Sequence, residues 1–339
     1  MAMRARISAM LHGVTLADFA DRVAQVRGHA LAVTVAEPLP MPRFSMRDWT
    51  YRDIADFVST AANGLKLRGV VPGSRVIICT GNGLDMPLYC LAVARLGAVA
   101  IPMNHMLSAD ELQFILDDSG AGDCVVDQVV YQRVIAPDPS RFGEVELHLA
   151  AVAGTEGVGD TLWSAMQSPA TTPPSQVEAD GVAAIFYTSG TTGFPKGAML
   201  THRSLLGRIT PLIGRPVFVP TTMLSALPMA HIMGFATLLG CLVGGVRVAY
   251  LRRFRPDDVA RWLSGGEVDS FVGVPSMYQM LEQAGALEMD LSGVKVFCSA
   301  ADVMPGDLMQ KFKSAGRLIR LPGGAGISAL FVEIYGSVE

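Results

Sequence analysis

Residues 186–200 read FYTSGTTGFPKGAML and concentrate the side chains that could contact a polyphosphate. The segment contains three glycines, five hydroxyl-bearing residues and a single lysine, Lys196. Glycines let a backbone approach a ligand closely, backbone N–H groups and hydroxyls donate hydrogen bonds to phosphate oxygens, and a lysine adds positive charge. The alternative is a flexible surface loop, and the Pro-Lys-Gly at a fixed place in the segment favours the phosphate-binding interpretation.

The segment differs from two common phosphate-binding patterns. A Walker A loop reads G-x-x-x-x-G-K-[ST], whereas Lys196 follows Pro195 and precedes Gly197. The dinucleotide pattern fails in GNGLDM at Gly81, and GAGISA at Gly324 has no later acidic partner at the required distance. We therefore interpret the segment as a hairpin tip that closes over phosphates.

The residues around the tip predict the elements that hold it. An apolar strand runs from Ala184 to Thr188, a return strand covers residues 197–200, and Thr201 is placed to cap a helix that begins HRSLLGRI. Thr188 and the hydroxyls of the tip would donate hydrogen bonds to phosphate, while Lys196 would offset its negative charge.

The rest of the chain alternates helix-like and strand-like segments. Residues 50–69 predict an amphipathic helix with Thr50 as its N-cap and Gly69 as its C-cap. The segment SADELQFILDDSG opens with a capping-box pattern at Ser108 and Glu111. Such alternation with short apolar strands is typical of parallel sheets covered by helices on both faces, so the predicted fold class is α/β.

The alternation is interrupted at residues 154–181, which are rich in Gly, Pro, Ser and Thr and predict an exposed connection. Dividing the chain near this connection gives two packed βαβ-type subdomains. Residues 1–175 would form the first with the linker, and residues 176–339 the second, which carries the phosphate loop. Strands could be exchanged between the two.

The composition restricts the classes of function. A net charge of −4 offers no basic field for nucleic acid. The five cysteines are far apart with no C-x-x-C pair, which indicates a reducing compartment and a cytoplasmic protein. The longest apolar run, residues 235–251, is interrupted by glycines and Arg247, so we expect no transmembrane segment.

The segment YTSGTTGFPKG resembles the phosphate-loop signature of the adenylate-forming (AMP-binding) enzymes, the superfamily of acyl-CoA synthetases, firefly luciferase and the adenylation domains of peptide synthetases. Four further segments are similar to the family in the same order, namely LPMAHIMGF, FVGVPSMYQML, CSAADVMPGDLMQKF and EIYGSVE. The resemblance extends from about residue 50 to the end of the sequence. It implies the fold of the large N-terminal domain of an acyl-CoA synthetase.

The resemblance also implies a role for each matching residue. The nucleotide-binding residues would be Thr188, Ser189, Gly190, Thr191, Thr192, Gly193 and Lys196 at the phosphates, Ser299, Ala300 and Ala301 against adenine, and Tyr335, Gly336 and Ser337, with Tyr335 stacked on the base. The acyl pocket would be formed by His231 at its mouth and by Met233, Phe235, Val274 and Met277. The catalytic set would be Lys196, Thr188 and His231, and Glu339 would help to hold Mg²⁺.

The same residues have a simpler interpretation without the resemblance. His231 would then be a buried histidine with its hydrogen bonds satisfied, because it lies between Ala230 and Ile232. The Met and Phe side chains would be ordinary core, since methionine is a common gap-filler. Both interpretations can be compared with the structure.

The implied reaction is that of an acid–thiol ligase. A substrate carboxylate attacks the α-phosphorus of ATP, Mg²⁺-pyrophosphate leaves, and CoA displaces AMP from the acyl-adenylate. Because carboxylate and triphosphate repel one another, the protein must position and neutralise them, and it needs no nucleophile of its own. The implied cofactors and co-substrates are ATP or AMP, Mg²⁺ and CoA, and the acid is fatty or otherwise apolar.

The sequence departs from the family pattern in two places. Val338 replaces the threonine of the Y-G-x-T-E element, which removes a hydrogen bond worth about 0.5–1.5 kcal/mol. The sequence also ends at Glu339, before the family's ribose-binding aspartate, hinge and small C-terminal domain with the adenylation lysine. We therefore expect an N-terminal fragment or shortened family member that is weakly active or inactive alone.

Two other functions remain open. The chain could be a non-catalytic nucleotide- or acyl-adenylate-binding module or partner subunit. A carrier-protein-loading adenylation domain is less well supported, because LPMAHIMGF resembles the acyl-CoA branch of the family. The sequence leaves the acid open among fatty, aryl and polycyclic types, and a homodimer is compatible with it.

Overall fold

The chain folds into alternating helices and strands in a computed structural model that describes residues 12–143, 145–150, 162–166, 170–188, 195–207, 220–320 and 326–334. The helices of this part of the chain are α1 (Phe19–Arg27), α2 (Tyr51–Leu67), α3 (Asp85–Arg95), α4 (Ala109–Ser119), α5 (Gln128–Val130), α6 (Leu162–Met166), α7 (His202–Leu206), α8 (Ile232–Gly244), α9 (Pro256–Ser264), α10 (Pro275–Gln283) and α11 (Gly306–Ala315). Short helical turns of other types cover Pro42–Phe44, Tyr131–Ile135, Pro139–Phe142 and Ala286–Glu288.

The strands form two main sheets and one small hairpin. They are β1 (Leu31–Val35), β2 (Asp48–Thr50), β3 (Arg75–Cys79), β4 (Val99–Pro102), β5 (Asp123–Val126), β6 (Glu146–Leu149), β7 (Val182–Thr188), β8 (Lys196–Thr201), β9 (Thr222–Ser225), β10 (Arg247–Tyr250), β11 (Ser270–Gly273), β12 (Val296–Ala300), β13 (Arg317–Arg320), β14 (Gly326–Ser328) and β15 (Leu330–Ile334). The smaller sheet has the order β6-β5-β3-β4-β7-β8 and the larger sheet β15-β12-β11-β9-β10-β1-β2. Strands β13 and β14 pair separately.

Parallel pairing dominates both sheets. Antiparallel pairing within them occurs at β7/β8 in the smaller sheet and at β1/β2 in the larger. The helix α3 is buried along almost its whole length, as expected for a helix between two layers. The predicted α/β fold with two helix-flanked, mostly parallel sheets is confirmed.

The two sheets do not correspond to the two halves of the sequence. Strands β1 and β2 come from the first 50 residues but belong to the larger sheet, whose other strands all follow residue 221. Strands β7 and β8 come from beyond residue 181 but complete the smaller sheet. The division into residues 1–175 and 176–339 as folding units stays a prediction.

The helix caps that the sequence predicts are present. The Thr50 N–H donates to Asp53 Oδ2 at 2.8 Å, and the Asp53 N–H donates to Thr50 Oγ1 at 3.2 Å. Ser108 and Glu111 form the same reciprocal pair at the start of α4. Helix α2 ends one residue earlier than expected, because Arg68 is its C-cap and Gly69, at φ +95°, follows it.

The described part of residues 154–181 corrects the prediction of a wholly exposed connection. It contains helix α6, in which Leu162 and Met166 are buried. A Cβ atom on Gly64 of α2 would lie only 3.0 Å from the side chains of both residues. Because glycine has no side chain, Gly64 lets α6 pack closely on α2. The polar composition of the connection did not indicate this contact.

The largest apolar core contains residues from both sheets and from the helices between them. Phe186 of β7 and Phe235 of α8 meet in this core with ring centroids 5.6 Å apart. The contact joins the strand that ends in Thr188 to the helix that follows His231. Among the helices of the described ranges, none combines the length and apolar character needed to cross a bilayer.

Candidate active site

The predicted site residues follow the carboxyl ends of strands in both sheets, where ligands bind in open α/β sheets. Thr188 ends β7 in the smaller sheet. In the larger sheet, His231, Val274 and Ala301 follow β9, β11 and β12, which are neighbours. The structure therefore brings the ends of these three strands to one edge of the larger sheet, although they are separated in sequence.

The phosphate-loop hairpin has the strands that the sequence predicts. Strands β7 and β8 pair antiparallel, and Thr188 lies opposite Lys196. Thr201 accepts a hydrogen bond on Oγ1 from the Ser204 N–H at 3.0 Å, which confirms it as the cap of α7. The tip residues Ser189, Gly190, Thr191, Thr192 and Gly193 lie outside the described residues.

The base of the hairpin is tied to helix α4 by Tyr187, a residue that sequence reasoning did not select. The Tyr187 hydroxyl donates to Asp118 Oδ2 at the end of α4, at 2.5 Å. Burial and the Asp118 carboxylate both raise the pKa of the Tyr187 phenol, so it remains a donor at neutral pH. Gly197 faces this residue, and a Cβ atom there would lie 2.9 Å from Tyr187 Cζ.

The segment expected to contact adenine has unusual backbone and hydrogen-bonding features. Ser299 is 1% exposed, and within the described ranges its Oγ atom has no hydrogen-bond partner. Ala301 has φ +74°, a left-handed conformation that is uncommon for residues other than glycine. The Met304 N–H donates to Glu333 Oε1 at 3.3 Å, which links the turn after β12 to β15. A strained turn beside an unpaired buried hydroxyl is typical of a ligand-contacting segment.

The segment before α8 places His231 at the start of that helix. The His231 N–H donates to the Pro228 carbonyl at 3.1 Å, and the Phe235 N–H donates to the His231 carbonyl at 3.1 Å. The His231 side chain is exposed, so the interpretation as a buried, satisfied histidine is wrong. His231 is the N-cap of α8 and follows β9, so it lies at the edge of the sheet where Val274 and Ala301 also lie.

The residues expected to line an acyl pocket differ in burial. Phe235 is 1% exposed and contacts Phe186, so it occupies a core position. Met233, Val274 and Met277 are half-buried and pack against the same core, which leaves part of each side chain accessible. Their roles as pocket walls stay a prediction.

The Asp85 carboxyl group lies in the first turn of α3, which follows β3. It is therefore at the carboxyl-end edge of the smaller sheet, the edge at which Thr188 ends β7. Burial raises its pKa to about 6, and the nearby Arg252 guanidinium opposes that shift. Asp127, at the end of β5, accepts a hydrogen bond from the Gly81 N–H at 2.7 Å. These two carboxyl groups and the Arg252 guanidinium therefore lie around the loop after β3.

The remaining predicted residues cannot be described in the same way. Tyr335, Gly336, Ser337 and Glu339 lie outside the described residues. Within those ranges, no group of three or more His, Cys, Asp or Glu side chains could hold a metal ion. The described hairpin residues offer a hydroxyl and an ammonium group, which suit phosphate rather than a metal. The prediction of bound Mg²⁺ therefore depends on Glu339.

Comparison with known proteins gives consistent matches across the chain. A family profile described as AMP-binding enzyme matches residues 19–337. Feruloyl-CoA synthase from an Amycolatopsis species is 30% identical over 297 residues, which cover 86% of this chain and 54% of that protein. The long-chain-fatty-acid–CoA ligase FadD13 of Mycobacterium tuberculosis is 29% identical over 266 residues, 77% of this chain and 51% of that protein.

A solved structure extends the match to three dimensions. The crystal structure of a long-chain-fatty-acid–CoA ligase (FadD1) from Archaeoglobus fulgidus aligns with a TM-score of 0.81 at 26% sequence identity. The alignment covers 96% of this chain and 64% of that one. The chain spans about half the length of the curated relatives it matches.

Proposed function

The chain belongs to the AMP-binding enzyme family, and from that premise we propose that it provides the nucleotide- and acid-binding body of an acid–CoA ligase. The proposed reaction joins a carboxylic acid to ATP, forms an acyl-adenylate with release of pyrophosphate, and transfers the acyl group to CoA. The observation that carries the proposal is the placement of Thr188 and Lys196 opposite one another at the base of the hairpin tip.

The described residues suit the electrostatic demands of this reaction. Lys196 is exposed at the start of β8 and forms no ion pair with another described residue, so its ammonium group can reach a phosphate without first losing one. Thr188 offers a hydroxyl donor across the strand pair. Fixed donors that face the departing pyrophosphate stabilise charge as it develops, which is the main catalytic need in phosphoryl chemistry. Mg²⁺ bound with ATP would supply further neutralisation of the triphosphate.

The buried hydroxyl of Ser299 and the strained Ala301 support nucleotide binding at the neighbouring edge. An unpaired buried hydroxyl costs about 1–3 kcal/mol, a penalty that a polar ligand atom would remove. Ala301, two residues further on, is exposed and has a left-handed backbone conformation that a regular strand lacks. We infer that adenine lies against Ser299, Ala300 and Ala301.

The acid is proposed to be apolar, either aryl or fatty. The relatives reported above are named for feruloyl and long-chain fatty acyl groups. The half-buried residues at the corresponding edge, Met233, Val274 and Met277, present apolar surface. His231 is exposed at the start of α8, where its imidazole could face the acid carboxylate.

The experiment compares two lysines. Titration calorimetry would measure ATP and AMP binding to the wild type, Lys196→Gln and Lys66→Gln, the last an exposed lysine on α2. We expect Lys196→Gln to weaken ATP binding by about tenfold or more, with a smaller effect on AMP, because the lost contact is to phosphates absent from AMP. Lys66→Gln should change neither affinity. Equal behaviour of the two variants would contradict the phosphate role of Lys196.

A second measurement tests turnover. ATP–pyrophosphate exchange would be followed with ferulic, benzoic and dodecanoic acids. Exchange that depends on one acid class would support the ligase and name its substrate. Nucleotide binding without exchange is expected both of an N-terminal fragment that is inactive alone and of a binding module. Gel filtration would test whether the chain forms a homodimer.

A further inference from the structure

A single side chain from the smaller sheet connects two segments of the larger one. Asn82, in the loop after β3, accepts a hydrogen bond on Oδ1 from the Met229 N–H at 2.8 Å. Its Nδ2 atom donates to the Arg252 carbonyl at 2.9 Å. The bonded residues are 147 and 170 positions away in sequence. The carboxamide therefore bridges the loop after β3 to the segments after β9 and β10.

A buried tyrosine strengthens the same junction. The Tyr250 hydroxyl, at the end of β10, lies within donating distance of the Asn82 carbonyl at 3.2 Å and the Leu227 carbonyl at 3.3 Å. Tyr250 is 1% exposed, and burial raises the pKa of its phenol, so the hydroxyl remains a donor. The Tyr250 hydroxyl thus contacts the main chain on both sides of the junction, at Asn82 and at Leu227.

The segment held in this way determines where α8 begins. Met229 lies two residues before His231, and the Pro228 carbonyl accepts the His231 N–H. The same carbonyl packs against Gly234, where a Cβ atom would lie only 2.2 Å from it. Little freedom remains between Met229 and His231, because each end of this short turn is fixed. A shift of Met229 would therefore move His231.

We propose that Asn82 is a positioning residue for the acid-binding side of the site, because it fixes the position of His231. This inference rests on the proposed function. A carboxamide suits the role because it carries a donor and an acceptor on one planar group. An aspartate has the same shape but offers only acceptors when ionised, so it would keep the Met229 contact and set a carboxylate against the Arg252 carbonyl.

The position of Asn82 predicts a selective effect. Its side-chain hydrogen bonds are to Met229 and Arg252, which belong to neither the hairpin nor the turn at Ala301. Loss of the bridge should therefore affect the acyl group more than the nucleotide. A residue that only stabilised the fold would alter both affinities together.

The matched control is Asn104, which follows β4 in the same sheet. Its Oδ1 atom accepts a hydrogen bond from the Met106 N–H at 3.0 Å, within its own loop. Asn104→Asp therefore makes the same chemical change at the same edge of the sheet without touching the segment before His231. Tyr250→Phe is a second test variant, since it removes the hydroxyl but keeps the ring.

The experiment measures binding of AMP and of two stable acyl-adenylate mimics, the dodecanoyl and cinnamoyl N-acylsulfamoyl adenosines. We expect Asn82→Asp to weaken the better-bound mimic by about tenfold and AMP by less than about twofold. Tyr250→Phe should act in the same direction, and Asn104→Asp should change neither affinity. Thermal unfolding of each variant would verify that it folds.

A double-mutant cycle tests the route through His231. If Asn82 acts by placing that residue, Asn82→Asp should weaken the mimic by less than about twofold in a His231→Ala background. Additive losses would overturn the proposal, as would equal losses for AMP and mimic or unchanged mimic binding in Asn82→Asp. A wild type that binds neither AMP nor the mimics would instead overturn the proposed function and, with it, this inference.

Discussion

The hairpin β7–β8 places Thr188 opposite Lys196 within residues 182–201, whereas the turn before His231 is fixed by side chains from distant parts of the chain. Asn82 and Tyr250 hold that turn, and Gly234 permits its close approach to α8. One side of the site is thus a local motif, and the other is assembled by the packing of two sheets. Changes to the first should stay local, while changes to the second should be transmitted through the junction.

The largest effect is expected at the assembled side, from Gly234→Ala. The new Cβ atom would lie 2.2 Å from the Pro228 carbonyl oxygen, a backbone atom that cannot move alone. We expect a loss of about 3 kcal/mol in the free energy of unfolding, measured by urea denaturation. Gly244→Ala, near the end of the same helix, meets its nearest atom at 3.7 Å and should be neutral or stabilising. Similar losses in both variants would show that the contact with the Pro228 carbonyl does not decide the result.

A smaller effect of opposite sign is expected at the nucleotide side, from Ala301→Gly. Glycine adopts φ +74° without a Cβ penalty, so the variant should be more stable by about 1 kcal/mol. Ala300→Gly, one residue earlier in the extended strand β12, should be destabilising instead. Chemical denaturation of the pair measures both, and destabilisation by Ala301→Gly would contradict the strain argument.

Tyr187→Phe should have a modest effect confined to the hairpin. It removes the hydrogen bond to Asp118, which we expect to lower the free energy of unfolding by about 0.5–1 kcal/mol. Asp118→Asn keeps an acceptor at the same place and should lose less. Binding of the cinnamoyl mimic should respond less to Tyr187→Phe than to Asn82→Asp, because the hairpin does not hold the turn before His231. A larger loss of mimic binding in Tyr187→Phe than in Asn82→Asp would contradict the distinction between the hairpin and the turn before His231.

The smallest effect is a pH dependence at the far end of the hairpin. His202 Nδ1 accepts a hydrogen bond from the Leu16 N–H at 3.1 Å, and burial lowers the pKa of the imidazole. The unfolded chain, with a histidine pKa of about 6.5, then binds the proton more readily than the folded chain. The stability that His202 contributes is present above that pH and is lost as the pH falls through the lowered folded value.

The matched variant for this pH dependence is His202→Asn, which offers an acceptor without a titrating ring. Thermal unfolding would be followed between about pH 5 and pH 7. The wild type should lose stability towards acid more steeply than His202→Asn. Parallel curves for the two proteins would assign the acid sensitivity to other groups.

The contrast between local motifs and contacts between distant residues also explains what the sequence could predict. Local contacts could be predicted from the sequence, because the residues that form them are a few positions apart. They include the capping boxes at Thr50 and Ser108 and the hairpin that ends at Thr201. Asn82 carries no such signal, because its partners lie more than a hundred residues away. Its neighbours Gly81 and Gly83 belong to the segment GNGLDM, which fails the dinucleotide pattern.

Burial was harder to predict than secondary structure. Phe235 packs against Phe186 in the core, and its role as a pocket wall stays a prediction. His231 lies between apolar residues and is nevertheless exposed, which the residues around it did not indicate. The burial of these residues depends on how the segment packs against β7, which its composition does not determine. Leu162 and Met166 were overlooked because Gly64, their contact on α2, is distant in sequence.

The pairing of β1 with β10 has a consequence for how the protein is made. Val33 lies beside Val248 in the larger sheet, so β1 must wait for more than two hundred further residues to be synthesised before its parallel partner exists. Contacts so distant in sequence slow folding and leave strand edges exposed meanwhile. The smaller sheet gains its last strand at Thr201 and can form first. Nascent chains are therefore most exposed to aggregation and to chaperone binding after Thr201 has been synthesised and before β10 is available to pair with β1.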